Sequence, residues 1–482
     1  MWSLHVKEGT QYEPNILVQP FTTEEWNAYP FAGEEKLKWF RDAKLGLFLH
    51  VGISALGKVD IGWSRRTHKL PDPGEGVIPD EVYDSWAEQI KMEDFDADEW
   101  INLAVEGGFK YVVIITKHHD GFHMWDTAYS EYKITNAPMA RDYIKELTDA
   151  CHKRGMPIGL YYSERDWHHP DYEPIDVTIA ERVSKPPFYR LKEGCTRRAG
   201  EKHRKYIAYM HNTVLELMEK YGKIDVLWWD ASWYKEMFTA DMWDADTLER
   251  KVRERQPHIL INNRAGLPGD FDTPECRIGH VQRDRAWETC MPMGKHWAWT
   301  GEELKPFKEI LRQFICTVSG DGNYLLSIGC MPNGKIAPEE SGYIRRLGAF
   351  MEKYGSTIYR TRSGPWNPGA FGGSLYRDDT AYIHIVERPQ SGTVAFPLEE
   401  HQIKEITCLT GEDVSFEIRE NNLVVSIPDV EFEDIILSVK MTWNIKTSVE
   451  GISVRESEAM RTHIADIEIM EIQKKEEVFH TD

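Results

Sequence analysis

Cysteine is scarce in this sequence. The 482-residue chain holds seven, at positions 151, 195, 276, 290, 316, 330 and 408, and no two make a CxxC pair. An odd, scattered set argues against a disulfide framework and against a zinc–thiolate site, and it points to reduced thiols. Long apolar runs are missing too. No 18-residue apolar segment occurs, so no membrane span is expected. The opening residues, Met1-Trp2-Ser3-Leu4-His5-Val6-Lys7-Glu8, lack a basic stretch followed by an apolar one. The reading is therefore a cytoplasmic chain, or a periplasmic or secreted one if a signal peptide has been removed. Positive charge is in short supply, since 58 Lys and Arg face 79 Asp and Glu for a formal net charge of −21. That argues against nucleic acid as a partner, because its binding needs cationic side chains to displace counterions. The excess negative charge serves solubility. No GxGxxG or Walker pattern is present, so the usual nucleotide-binding signatures are absent.

What the chain does have is aromatic surface and β-branched strands. Apolar residues make up 41% and aromatics 12%, with 17 Trp. Aromatic-rich clefts suit sugar rings, whose C–H faces stack on Trp and Tyr. The length exceeds one ordinary core, so two domains are expected, one of them large.

From about Glu34 to Gly355 apolar strands alternate with amphipathic helices. Strands are expected at Leu45–His50, 111–116, Pro157–Tyr162, Ile224–Trp229, Ile259–Asn262 and Asn323–Ile328. Helices are expected at Ala97–Gly107, 141–154, 199–221, 244–255, 302–318 and 338–354. Repeated strand–helix units with few hairpin signals predict a parallel sheet, and this many predict a (β/α)8-like TIM barrel over residues 1–357. An open doubly wound sheet is the second choice. Thr361–Gly369, rich in Gly, Pro and Arg, reads as a linker. The short, closely spaced strands beyond it, at Thr380–Val386, Thr393–Phe396, Glu405–Leu409, Asn422–Ile427 and Asp434–Lys440, predict a C-terminal β-sandwich over 358–482. Ile464–Ile472 could add a strand, and the charged end is expected to fray.

The strand ends carry the chemistry. An unbroken apolar run ends in Lys117-His118-His119-Asp120-Gly121-Phe122. Titratable groups at a strand exit are costly unless they bind something or one another, and in barrels that exit is where active sites lie. The other ends carry His50, Tyr161 with Tyr162, Trp228-Trp229-Asp230 and Asn262-Asn263-Arg264. Five polar ends on one face are better explained by a shared pocket than by five separate structural roles. Asp230 follows an apolar strand directly and sits among Trp228, Trp229 and Trp233, an expected sugar-binding wall. Its bland alternative is a helix cap or loop salt bridge. A carboxylate nucleophile needs an acid partner, and the candidates lie in Gly269–Glu275 and in Ala286-Trp287-Glu288. A metal held by the His-His-Asp cluster with Asp230 ranks lower, because adjacent residues of an extended segment point to opposite sides.

Taken together, Trp39–His50, Lys117–Phe122, Gly159-Leu-Tyr-Tyr-Ser163, Trp228-Trp-Asp230 and Asp272-Thr-Pro-Glu275 resemble the α-L-fucosidases of glycoside hydrolase family 29, in order and in spacing. The resemblance runs from about residue 20 to the sandwich. It implies a (β/α)8-like catalytic domain followed by a β-sandwich, no cofactor and no metal. It also implies retaining exo-hydrolysis of terminal α-L-fucosyl residues from glycans. Asp230 matches the family nucleophile. Glu275 matches the preferred acid/base position and Glu288 the alternative one. His50, Trp86, His118, His119, Tyr161, Trp228 and Arg264 match positions that hold the sugar. There are departures. The family's His-Trp-Gly is His50-Val51-Gly52 here, its Glu-Trp is Ser85-Trp86, and its Gly-Pro-x-x-x-Gly is Gly329-Cys-Met-Pro-Asn-Gly334. They leave room for a related sugar such as α-L-galactose. A metal-dependent hydrolase and a catalytically silent sugar-binding protein are the remaining alternatives. The expected partner is a fucosylated carbohydrate, with no nucleic acid and no membrane, and a homo-oligomer is possible.

Overall fold

The computed structural model describes residues 6–7, 10–11, 21–69, 76–174, 200–231, 240–278, 281–398 and 402–442. Trp233, Cys195 and the expected strand Ile464–Ile472 lie outside the described residues.

Seven parallel strands form the first sheet: β1 Leu45–Leu49, β2 Tyr111–Lys117, β3 Ile158–Tyr162, β4 Val226–Trp229, β5 Leu260–Ile261, β6 Glu288–Pro292 and β7 Asn323–Ile328. Their order is β5-β4-β3-β2-β1-β7-β6, and every pairing is parallel. Between β5 and β6 the ring is completed by single bridges. Phe271 pairs with Asn262, Asp272 with Trp287 and Glu275 with Cys290, all in parallel. The stretch 271–275 thus occupies the place of an eighth stave, and the architecture is a (β/α)8-like barrel.

Strand parity sorts the side chains. Phe48, Val113, Ile115, Tyr161, Val226, Trp228 and Leu325 share an inner core with Tyr111 and Cys290. Leu47, Leu49, Val112, Ile114, Leu160, Tyr162, Leu227, Trp229 and Leu326 pack outward into the core beneath the helices. Both faces are buried, which is why these strands read as continuous apolar runs. The helices lie where their caps dictate. Asp96 accepts from the Glu99 N–H ahead of α2 Ala97–Glu106, which follows α1 Glu34–Ala43. Asp142 accepts from the Lys145 N–H ahead of α3 Tyr143–Arg154, and that helix ends on left-handed Gly155. Then come α4 Glu201–Lys220, α5 Ala245–Arg255, α6 Phe307–Ser319 and α7 Pro338–Tyr354. The helix expected from residue 302 starts only at Phe307, because Pro306 stands at its N-cap in extended conformation.

Beyond α7 the strands are short and antiparallel: β8 Arg362–Ser363, β9 Gly372–Arg377, β10 Thr380–Ile385, β11 Thr393–Pro397, β12 Ile403–Cys408, β13 Ser415–Arg419, β14 Asn422–Ser426 and β15 Ile435–Met441. They make a five-stranded sheet, β8-β9-β10-β15-β12, and a three-stranded one, β11-β14-β13. One apolar core joins them, with Phe371, Ile383 and Leu437 from the first sheet's side and Phe396, Leu423 and Val425 from the second. This is the expected sandwich. The stretch read as a linker is not one. It carries β8, and Trp366 is fully buried with its indole N–H donated to the Pro397 carbonyl at 2.8 Å. Its Gly and Pro content masked that anchor. The sandwich rests on the barrel through α6, which packs against β9.

Candidate active site

Strand parity also builds the site. Inward Phe48 puts His50 inward two residues on, and inward Trp228 does the same for Asp230. The pocket at this end of the barrel is lined by Phe48, His50, Trp63, His118, Tyr161, Trp228, Asp230, Arg264, Glu275, Cys290 and Trp297. Its empty space is about 270 Å³ including the mouth. It suits one sugar ring.

Four planar groups stack along one wall. The His118 and Tyr161 rings lie 5.5 Å apart and nearly parallel. Tyr161 and Trp228 lie 5.6 Å apart. The Arg264 guanidinium covers the Trp228 ring at 4.6 Å. The Tyr161 hydroxyl donates to Asp230 Oδ2 at 2.5 Å. His50 stacks on Trp297 and shares a 2.7 Å hydrogen bond between Nδ1 and the Ser327 hydroxyl. Burial pushes the His50 ring down to about 3 and holds His118 and His119 well below the usual histidine range. Three neutral imidazoles result, each able to donate or accept toward a hydroxyl.

The two carboxylates meet on one nitrogen. Arg264 Nη1 donates to Asp230 Oδ1 at 2.9 Å and to Glu275 Oε2 at 2.8 Å. Burial opposes the Arg264 charge, but Glu275, Cys290 and Asp230 outweigh it and hold the guanidinium above its ordinary range. The rest of the Arg264 fork is fixed by Thr273, whose hydroxyl and carbonyl accept from Nε and Nη2. Behind Asp230, the Glu164 carboxylate accepts from its backbone N–H at 3.0 Å.

Of the residues expected from the sequence, Asp230, Glu275, His50, His118, Tyr161, Trp228 and Arg264 come together around this pocket. His119 stands just behind, its Nδ1 on the Ser163 hydroxyl at 2.6 Å and its Nε2 3.7 Å from Asp230 Oδ2. Trp86 does not reach the pocket. It packs over Gly57 and beside Tyr83, and the pocket tryptophans besides Trp228 are Trp63 and Trp297. Both sit in loops, where no periodicity marks them; the nearest signal is the aromatic spacing of His296-Trp297-Ala298-Trp299. Glu288 lies deeper. It starts β6 and accepts from the Trp228 indole N–H at 2.9 Å and from the Tyr111 hydroxyl. Burial raises it to about 7. Trp229 points out of the barrel and donates to Glu249, so only one of the two adjacent tryptophans serves the pocket wall.

The His-His-Asp argument needs correction as well. Strand β2 ends at Lys117, and the Gly121 N–H closes a turn on the His118 carbonyl. The two imidazoles therefore lie on one side, 4.2 Å apart, and His118, His119 and Asp230 form a group close enough to hold a cation. The Arg264 guanidinium already occupies the other oxygen of that carboxylate, and it would repel such an ion. The flanking charges of the run are structural. Lys117 is buried on the Arg165 carbonyl and near Asp166. Asp120 accepts from Tyr83, and burial raises it to about 6.

A parallel barrel with two carboxylates in a small aromatic pocket at the strand exits defines a hydrolase of glycosides. The comparisons are narrower. The model of the alpha-L-fucosidase family matches residues 19–356, and the chain belongs to that family. Plasma alpha-L-fucosidase of Rattus norvegicus is 28% identical over 353 residues, covering 67% of this chain and 71% of the relative. Tissue alpha-L-fucosidase of Mus musculus is 25% identical over 439 residues, covering 85% and 91%. Among solved structures, alpha-L-fucosidase isoenzyme 1 of Paenibacillus thiaminolyticus superposes with a TM-score of 0.72 at 29% identity, covering 86% of this chain and all of that one. Among the described residues, no helix is long and apolar enough to cross a membrane.

Proposed function

We propose that this chain removes terminal α-L-fucosyl residues from glycans by retaining hydrolysis, with Asp230 as nucleophile and Glu275 as acid/base. One observation carries the residue assignment: the single Arg264 nitrogen shared by Asp230 and Glu275. Two oxygens bound to one nitrogen at these lengths lie within about 6 Å of each other, close enough for the roughly 5–5.5 Å between the carboxyl groups of retaining enzymes.

In the first step an Asp230 oxygen bonds to the anomeric carbon as the bond to the leaving oxygen breaks, and Glu275 gives that oxygen its proton. Forming the ester removes the Asp230 charge. Water then bonds to the anomeric carbon as the Asp230 ester bond breaks, and Glu275, left ionised by the first step, takes the water's proton. His50 and His118, both neutral, hold hydroxyls with His119 behind them, and the Trp228 ring, its faces taken by Tyr161 and Arg264, meets the C5 methyl group with its edge. The size of the pocket supports exo-action on one residue. Cys151, Cys290, Cys330 and Cys408 form no disulfide, which supports a reducing, cytoplasmic setting.

The test is hydrolysis of an aryl α-L-fucoside beside the matching α-L-galactoside, with NMR of the first sugar released. The expected outcome is preference for the fucoside and α-fucose as the first anomer. A β-anomer formed first would refute retention.

A further inference from the structure

A second cleft lies on the barrel face that carries the site. It is walled by Trp299, Glu302, Leu304, Ala337, Glu340 and Tyr343, among others, and its empty space is about 840 Å³ including the mouth. These residues come from the segment between β6 and α6 and from the start of α7, both beyond strand exits. One strap, His296–Trp299, serves both cavities, since Trp297 lines the sugar pocket and Trp299 lines the second cleft. The strap is pinned. Asp60 Oδ1 accepts from the backbone N–H of Trp297 at 3.1 Å and of Ala298 at 3.2 Å. Gly329, at the exit of β7, lets it lie flat there, because a Cβ at that position would meet the Trp299 nitrogen at 2.1 Å.

The cleft has a buried polar end. Glu340 is only 4% exposed, and the Gly329 and Ala337 backbone only partly offsets the burial that raises its carboxyl. Its Oε2 has no hydrogen-bond partner among the described residues. A buried acceptor left that way is costly, and a hydroxyl from a ligand in the cleft would satisfy it. We infer that this cleft receives the leaving-group sugars of a fucosylated glycan, with Trp299 as their platform and Glu340 as a hydrogen-bonding partner. The inference rests on the fucosidase reading above.

The occupant is a neutral polyol rather than a cation. The Trp299 face already has the Lys58 ammonium 5.8 Å from its centroid. Burial raises the innermost carboxyl, Glu340, to about 8, so at neutral pH it is mostly uncharged and offers little to an ion. Glu302, Glu303 and Glu339 at the edge supply further acceptors for hydroxyls.

The experiment compares kcat/KM for an aryl α-L-fucoside, whose leaving group is one small ring, with that for α1,2-, α1,3-, α1,4- and α1,6-fucosylated oligosaccharides. Trp299→Ala is expected to lower the value for the best oligosaccharide at least tenfold and to leave the aryl fucoside within twofold. Glu340→Gln, which keeps the shape and the hydrogen bond, is expected to stay within threefold on both. Melting temperatures of both variants separate a folding defect from a binding one. For Trp299→Ala, equal losses on the two substrates, or no loss on either, would overturn the subsite. Absence of aryl fucosidase activity in the unaltered protein would instead overturn the function proposed above.

Discussion

The upper and lower halves of the barrel lumen are built from the same ingredients and behave differently. Above, Asp230 and Glu275 share one guanidinium and face a pocket. Below, Glu288 is equally buried, but its two oxygens take hydrogen bonds from Tyr111 and Trp228 and do not line the pocket. Burial alone therefore does not mark a reacting carboxylate. What separates the halves is whether a charge partner and a vacant side are both present. The lower carboxylate still matters above it, because its hydrogen bond to the Trp228 indole fixes a ring of the pocket wall.

The contrast can be broken at several points. Asp230→Asn should lower kcat by about 10⁴-fold or more with the fold intact, measured by turnover and circular dichroism. Glu275→Ala should lower turnover by about 10²–10⁴-fold. Azide should restore it on an activated aryl fucoside and yield a fucosyl azide. If azide rescues Glu288→Ala and not Glu275→Ala, the two halves exchange roles. Trp297→Ala should cost about tenfold in kcat/KM, near 1.4 kcal/mol, whereas Trp86→Ala should stay within about twofold on the aryl substrate because that ring lies off the pocket.

A stability measurement sharpens the contrast through pH. The folded-state value of Glu288, about 7, lies above the ordinary 4.5. Its contribution to stability is complete below 4.5 and is lost as pH rises toward 7, at roughly 1.4 kcal/mol per unit. His50, held at about 3 against 6.5, does the reverse, and its contribution is lost as pH falls from 6.5 toward 3. Glu288→Gln should remove the fall in stability between about pH 4.5 and 7 and leave the profile below 4.5 unchanged.

Much of this was legible in the sequence, for physical reasons. Strands buried on both faces are continuous apolar runs, and their exits name His50, His118, Tyr161, Trp228, Asp230 and Arg264. Parity halves such a list, which is why Trp229 and Tyr162 left the pocket: Tyr162 points outward to Thr213. Parity fails where a strand ends, as at His118-His119, because a turn follows no two-residue period. Loop aromatics such as Trp63 and Trp297 carry no period at all. Glu275 and Glu288 sit in similar local contexts, and only the three-dimensional partners tell them apart. The misread linker shows the same limit, since one buried indole among Gly and Pro outweighed the composition around it.

The stave at 271–275 is held to its neighbours by isolated bridges, whereas Asp230 follows a strand paired along its length on one side with β3. Asp230 and Glu275, the two carboxylates proposed above to break the bond, are therefore anchored by unequal backbone pairing. A barrel made this way can tolerate insertions, shifts or exchanges of the segment that carries Glu275 without disturbing Asp230. Directed changes to substrate range are best aimed at that segment.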